Sequence, residues 1–147
     1  MRFIVVLLLL SMLGCSTSRK TEDPLIVHGV IGTSVTGYVI QETDQARYVG
    51  YVKNGQPHGQ GTMYLKNKMI LIGEWNQGEL SGSGIIISID LDNLAVGNFD
   101  QGVQQGKGYL TANGVGFHGE ILNGVPSGVG DCYQKAQKTL CDPLKTP

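Results

Sequence analysis

Residues 48–61 read Tyr48-Val49-Gly50-Tyr51-Val52-Lys53-Asn54-Gly55-Gln56-Pro57-His58-Gly59-Gln60-Gly61, and the four glycines of this stretch decide the fold. Gly50, Gly55, Gly59 and Gly61 return with unchanged spacing as Gly73, Gly78, Gly82 and Gly84, then as Gly97, Gly102, Gly106 and Gly108, and again as Gly119, Gly124, Gly128 and Gly130. Successive units step by 23, 24 and 22 residues. A fixed period in this range marks an array whose units bury their apolar surface by stacking on their neighbours.

Within each unit the alternation is that of a strand. Tyr48, Gly50 and Val52 share one face, as do Leu71, Gly73 and Trp75, then Ala95, Gly97 and Phe99, then Phe117, Gly119 and Ile121. The residues between them are mostly polar: Tyr51 and Lys53, Glu74 and Asn76, Asn98 and Asp100, His118 and Glu120. A period of two makes one sheet face apolar and leaves the other wet. Asn54-Gly55, Gln77-Gly78, Gln101-Gly102 and Asn123-Gly124 then end the first strand of each unit with hairpin chemistry. Met63, Ile86, Leu110 and Cys132 occupy equivalent places on the returning strands. The Gly-x-Gly positions lack side chains, so rings are expected to lie flat there, with Trp75, Phe99 and Phe117 as the rings.

With its aromatic, a glycine two residues on, another five later and then His-Gly-x-Gly, the 48–61 stretch resembles a MORN repeat. The other units keep every glycine but hold Ser81, Gln105 and Ser127 at the histidine position, and Leu71 and Ala95 replace the leading aromatic. The resemblance covers four units over residues 48–133. It implies an all-β fold, a single-layer, twisted antiparallel sheet of stacked hairpins. It also implies a scaffold, tether or membrane-associated module rather than a particular chemistry.

The flanks read differently. Residues 25–47 are expected to form a degenerate hairpin capping the first regular unit, since terminal repeats are atypical. Residues 134–147 form a C-terminal cap in which Lys135 to Leu140 could make one helical turn. At the other end, Arg2 precedes the unbroken apolar run Phe3 to Leu10, too short to span a bilayer as a mature helix, so residues 1–14 read as a secretory signal. Leu13-Gly14-Cys15 resembles a bacterial lipoprotein box, which implies lipidation of Cys15. By the same resemblance, Ser16 after it implies outer-membrane sorting in a two-membrane cell, on the periplasmic or surface side. Residues 15–24 are then the lipidated cysteine and a polar tether.

Export leaves Cys132 and Cys141 as an even pair in an oxidising compartment, which favours a disulfide. The 11 basic and 12 acidic residues build no basic stripe for nucleic acid. No nucleophile stands with a base, no two of the three histidines have metal-ligand spacing, and Asp90-Leu91-Asp92-Asn93 lacks the central glycine of a calcium loop. The expectation is therefore a non-enzymatic envelope protein with no cofactor and no metal, held at the membrane and binding an envelope protein. A phospholipid or glycan in a groove of the sheet is the alternative. The candidate contact residues are Tyr51, His58, Tyr64 and Tyr109.

Overall fold

The computed structural model describes residues 24–29, 32–66, 68–135 and 137–142. The segment read as a signal, Cys15 and the expected tether up to residue 23 lie outside them. Eleven strands make one open sheet in the order of the sequence: β1 (Leu25–His28), β2 (Gly37–Glu42), β3 (Ala46–Lys53), β4 (Gln56–Leu65), β5 (Met69–Asn76), β6 (Glu79–Ser88), β7 (Asn93–Asp100), β8 (Val103–Ala112), β9 (Val115–Leu122), β10 (Val125–Gln134) and β11 (Gln137–Cys141).

Local chemistry explains each hairpin. Lys53 pairs with Gln56, so Asn54-Gly55 is a two-residue loop, and its φ values of 52° and 76° are those of a type I′ turn, whose twist suits antiparallel strands. The same geometry recurs at the other three turns of the ladder. It also recurs at Asn113-Gly114, between β8 and β9, which the glycine period passes over. Three residues of β4, His58 to Gln60, then stand opposite Tyr51 alone, because Val52 pairs with Pro57 and Gly50 with Gly61. Gly59 supplies the positive φ of 64° that this bulge needs. Equivalent shifts occur between Gly73 and Trp75, Val96 and Asn98, and Ser127 and Asp131.

The expectation for Gly-x-Gly is thereby corrected. Its first glycine makes the bulge, and it is the second that lies under a core-face side chain. A Cβ on Gly61 would run into the Tyr48 ring, and one on Gly130 would stand 2.5 Å from the Phe117 ring. Phe99 leans on Gly84, but Trp75 plays another part: its Nε1–H donates to the Gly61 carbonyl at 3.0 Å.

One face carries the core. Val39, Tyr48, Val52, Trp75, Leu80, Phe99, Phe117 and Ile121 are buried there, with Tyr48 and Trp75 edge to face at 5.7 Å. The two units that lost the leading aromatic are repaired from the second strand. Where Tyr48 and Phe117 are present, the position two residues after the turn glycine is Pro57 or Pro126. Where Leu71 and Ala95 stand instead, it is Leu80 or Gln104, buried at 1% and 4% exposure. Leu80 and Gln104 then cover Gly84 and Gly108, as Tyr48 and Phe117 cover Gly61 and Gly130. Close packing requires that this site be filled, and either strand can fill it.

The N-terminal cap departs from expectation. β1 and β2 pair in parallel, Leu25 beside Val39 and His28 beside Glu42, so they are not a hairpin; the antiparallel partner of β2 is β3. The cap imitates a preceding unit at its turn. Gly55 N–H donates to Val35 O (2.8 Å), as Gly78 does to Pro57 O (3.0 Å), Gly102 to Leu80 O (2.8 Å) and Gly124 to Gln104 O (2.9 Å). At the other end the expected helical turn is an eleventh strand. After the tight turn at Lys135, whose φ is 48°, residues Gln137–Cys141 pair with β10. The cap therefore extends the sheet and moves its edge outward, where Lys138 pairs with Asp131 at 2.9 Å.

Candidate interaction surface

The face opposite the core is wet only near the turns. Pairing register places Ile40, Val49, Thr62, Ile72, Ile85 and Val96 in one row across β2 to β7, continued on β8 by Tyr109. A second row beside it holds Tyr64, Ile70, Ile87 and Leu94. The apolar belt spans seven strands, about 29 Å at the usual strand spacing. Val49, Ile72 and Tyr64 are exposed, and the remaining belt residues are half-buried. The expectation of a wet, mostly polar second face fails here because β5 and β6 carry β-branched or leucine residues on both sides of the strand in the half remote from the turns, and β7 adds Leu94 and Val96 to the belt side. The belt ends at His118 and Asp131, the next residues of its first row.

An aromatic pair marks each end. Tyr38 and Tyr51 meet edge to face at 5.5 Å on β2 and β3, and Tyr109 and Tyr133 at 6.2 Å on β8 and β10. Three of the four candidate contact residues, Tyr51, Tyr64 and Tyr109, thus share this face but form no single cluster, since three strands lie between β4 and β8. Tyr38, Tyr133 and the belt isoleucines were missed from sequence. Tyr38 lies outside the glycine ladder, Tyr133 closes its fourth unit at the place Tyr64 holds in the first, and the isoleucines read as interiors of strands until register assigned their face.

The fourth candidate, His58, stands half-buried in the first bulge. Its backbone hydrogen-bonds the Tyr48 hydroxyl, which itself donates to Tyr51 O at 2.9 Å. Burial pushes the Tyr48 phenol up to about 12, opposed by the His58 backbone and assisted by Tyr38. Cys132 and Cys141 lie at disulfide-bonding distance with Cα atoms 5.7 Å apart, diagonal to each other across β10 and β11. Among the described residues, no group of three or more His, Cys, Asp or Glu side chains could hold a metal ion. No described helix is long and apolar enough to cross a membrane.

Three segments match the model of the MORN repeat: residues 48–69, 72–91 and 96–114. The fourth glycine unit lies beyond the matched residues, although it has the same bulged hairpin. No curated protein matches the chain. The matched segments coincide with the first three bulged hairpins of the sheet, and each of these hairpins is similar to a MORN repeat.

Proposed function

We propose that this chain is a lipid-anchored protein of the bacterial cell envelope, attached through Cys15, whose MORN array acts as a non-enzymatic scaffold for an envelope protein. The observation that carries the scaffold reading is the apolar belt. It is an extended, mostly aliphatic sheet face with no second layer among the described residues, and contiguous apolar surface of this kind marks interaction sites. The reading of Cys15 rests on the signal-like N-terminus and its Leu13-Gly14-Cys15 ending. A second reading, a phospholipid or glycan on the belt, is favoured by the exposed rings of Tyr38 and Tyr64.

The test places a photo-crosslinking residue at Ile72 in the intact envelope. A discrete protein adduct, lost when Val49 is also changed to Lys, supports the scaffold. Adducts only with lipid or polysaccharide would replace it with the second reading. Uniform, nonspecific labelling would remove the belt as a contact surface.

A further inference from the structure

Asparagine stands directly before glycine at Asn54-Gly55, Asn113-Gly114 and Asn123-Gly124, and each pair fills a two-residue loop with both φ values positive. The pair suits a tight turn, but it is chemically labile. The backbone nitrogen of the glycine can attack the side-chain amide carbon of the asparagine, because the glycine carries no Cβ to hinder the approach. The three loops differ in how firmly that nitrogen is held.

In two of them it is already engaged. Gly55 N–H donates to Val35 O at 2.8 Å, and Gly124 N–H to Gln104 O at 2.9 Å. Neighbouring side chains hold the asparagines as well. Asn54 N–H donates to Thr36 Oγ1 (3.2 Å), while Asn123 N–H donates to Gln105 Oε1 (3.1 Å) and Asn123 Oδ1 accepts from Gln105 Nε2 (2.9 Å). Gly55 also lies against Gly32 and Thr33 of the cap. Asn113-Gly114 has none of these restraints. Gly114 N–H meets no acceptor among the described residues, a Cβ there would have no neighbour within 4 Å, and both residues are exposed. Attack requires the asparagine backbone to rotate out of the turn, so each site reacts from a locally opened state. Opening the loops at Asn54 and Asn123 breaks the bonds just described, and opening at Asn113 breaks no equivalent.

We infer that Asn113 is a site of spontaneous covalent modification, deamidating from the folded protein ahead of Asn54 and Asn123 with water as the only co-reactant. The Gly114 nitrogen gives up its proton and bonds to Asn113 Cγ, the bond from Cγ to the side-chain nitrogen breaks, and that nitrogen leaves with the proton as ammonia. The cyclic imide then takes up one water. Cleavage of the new bond to Cγ gives aspartate, and cleavage of the original peptide bond gives isoaspartate, in which the chain runs through Cγ. No oxidant or reductant is needed, and either product adds one negative charge. In isoaspartate the loop gains a backbone carbon, which the pairing of Ala112 with Val115 across a two-residue loop does not accommodate. The change falls beside the groove that Gly114 lines with Tyr109, Tyr133 and Lys135. It is independent of what the belt contacts.

The test incubates the full chain at mildly alkaline pH in water labelled with heavy oxygen and maps the incorporated label by peptide mass spectrometry. Residue 113 should acquire label about tenfold faster than residues 54 and 123, the factor that one further hydrogen bond to break on opening supplies. In the urea-unfolded chain the three rates should converge. Asn113→Gln, which copies Gln77 and Gln101 of the other ladder turns, should abolish the early labelling, since glutamine must close a larger ring. Amide exchange gives a readout separate from the chemistry: Gly114 should exchange before Gly55 and Gly124. Equal labelling of the three sites in the folded chain, the same ratio in the unfolded chain, or a Gly114 amide as protected as the other two would each overturn the assignment.

Discussion

At Gly61 the absence of a single carbon keeps the first repeat closed. A methyl group there meets the Tyr48 ring, with no flexible chain end to give way. Gly61→Ala should therefore destabilise the protein by about 1–3 kcal/mol in urea unfolding. Gly32→Ala, whose Cβ has no neighbour within 4 Å, should stay within about 0.5 kcal/mol. Equal midpoints would refute the packing described for the ring. Gly37 is a poorer control than its place outside the ladder suggests, because its φ of 143° disfavours any side chain despite the open space. Tyr48 supplies a second prediction. An unfolded phenol ionises near pH 10, whereas burial delays ionisation of Tyr48 to about 12. Its contribution to stability is whole below pH 10 and is lost as the pH rises toward 12. Tyr48→Phe should flatten the fall in stability over that window, and an unchanged alkaline limb would show that the phenol ionises alike in the folded and unfolded states. The sequence showed that Gly61 and Tyr48 belong together in one unit. It did not show which ring covers which glycine, because covering depends on the bulge, and the bulge displaces Trp75 onto the Gly61 carbonyl.

Each hairpin fills one packing site from either of two strands, so changes at the paired positions should not be additive. Gln104→Pro removes the amide that bonds Val96 O and Tyr109 O, and Ala95→Phe overfills the site while Gln104 remains. Together they recreate the aromatic and proline pairing of the first and fourth units. The double variant should be at least about 1 kcal/mol more stable than the sum of the two single changes. Additive losses in thermal unfolding would dissolve the equivalence. The last element gives another test. Closing the short loop between Cys132 and Cys141 is worth roughly 2–3 kcal/mol in the chain-entropy model, and β11 is exposed along most of its length. Reduction should release amide exchange at Thr139 and Leu140 before any change at β3. Labelling of both cysteines in the denatured, unreduced protein would show that no bridge exists. At this scale the central hairpins were legible because turn glycines punctuate a period of two. The ends were not. The parallel register of β1 and β2 needs a distant partner that no local pattern announces, and the segment after Lys135 has too few apolar residues to distinguish a helical turn from an edge strand.

For the whole molecule, the proposed anchoring makes Cys15 the sole attachment, so Cys15→Ser should move the folded chain from the membrane fraction to the soluble one. Retention after signal cleavage would instead assign membrane affinity to the sheet, and the belt would be the first place to look. The belt itself escaped the sequence reading because faces are set by register across many strands, and residues such as Ile72 and Ile85 become neighbours only when β5 and β6 pair. The sequential strand order has one more consequence. Every strand pairs only with those next to it in the chain, and the turn glycine of each ladder unit donates to a carbonyl that precedes it, beginning with Val35 in the cap. Order can thus advance in one direction, each arriving hairpin finding its template already in place, with little loop-closure entropy at any step. For a chain delivered end first through a narrow pore, as the proposed export requires, no segment has to wait for one still on the far side. Cys141 emerges after all four repeats, so a bond to Cys132 would latch a structure that is already complete.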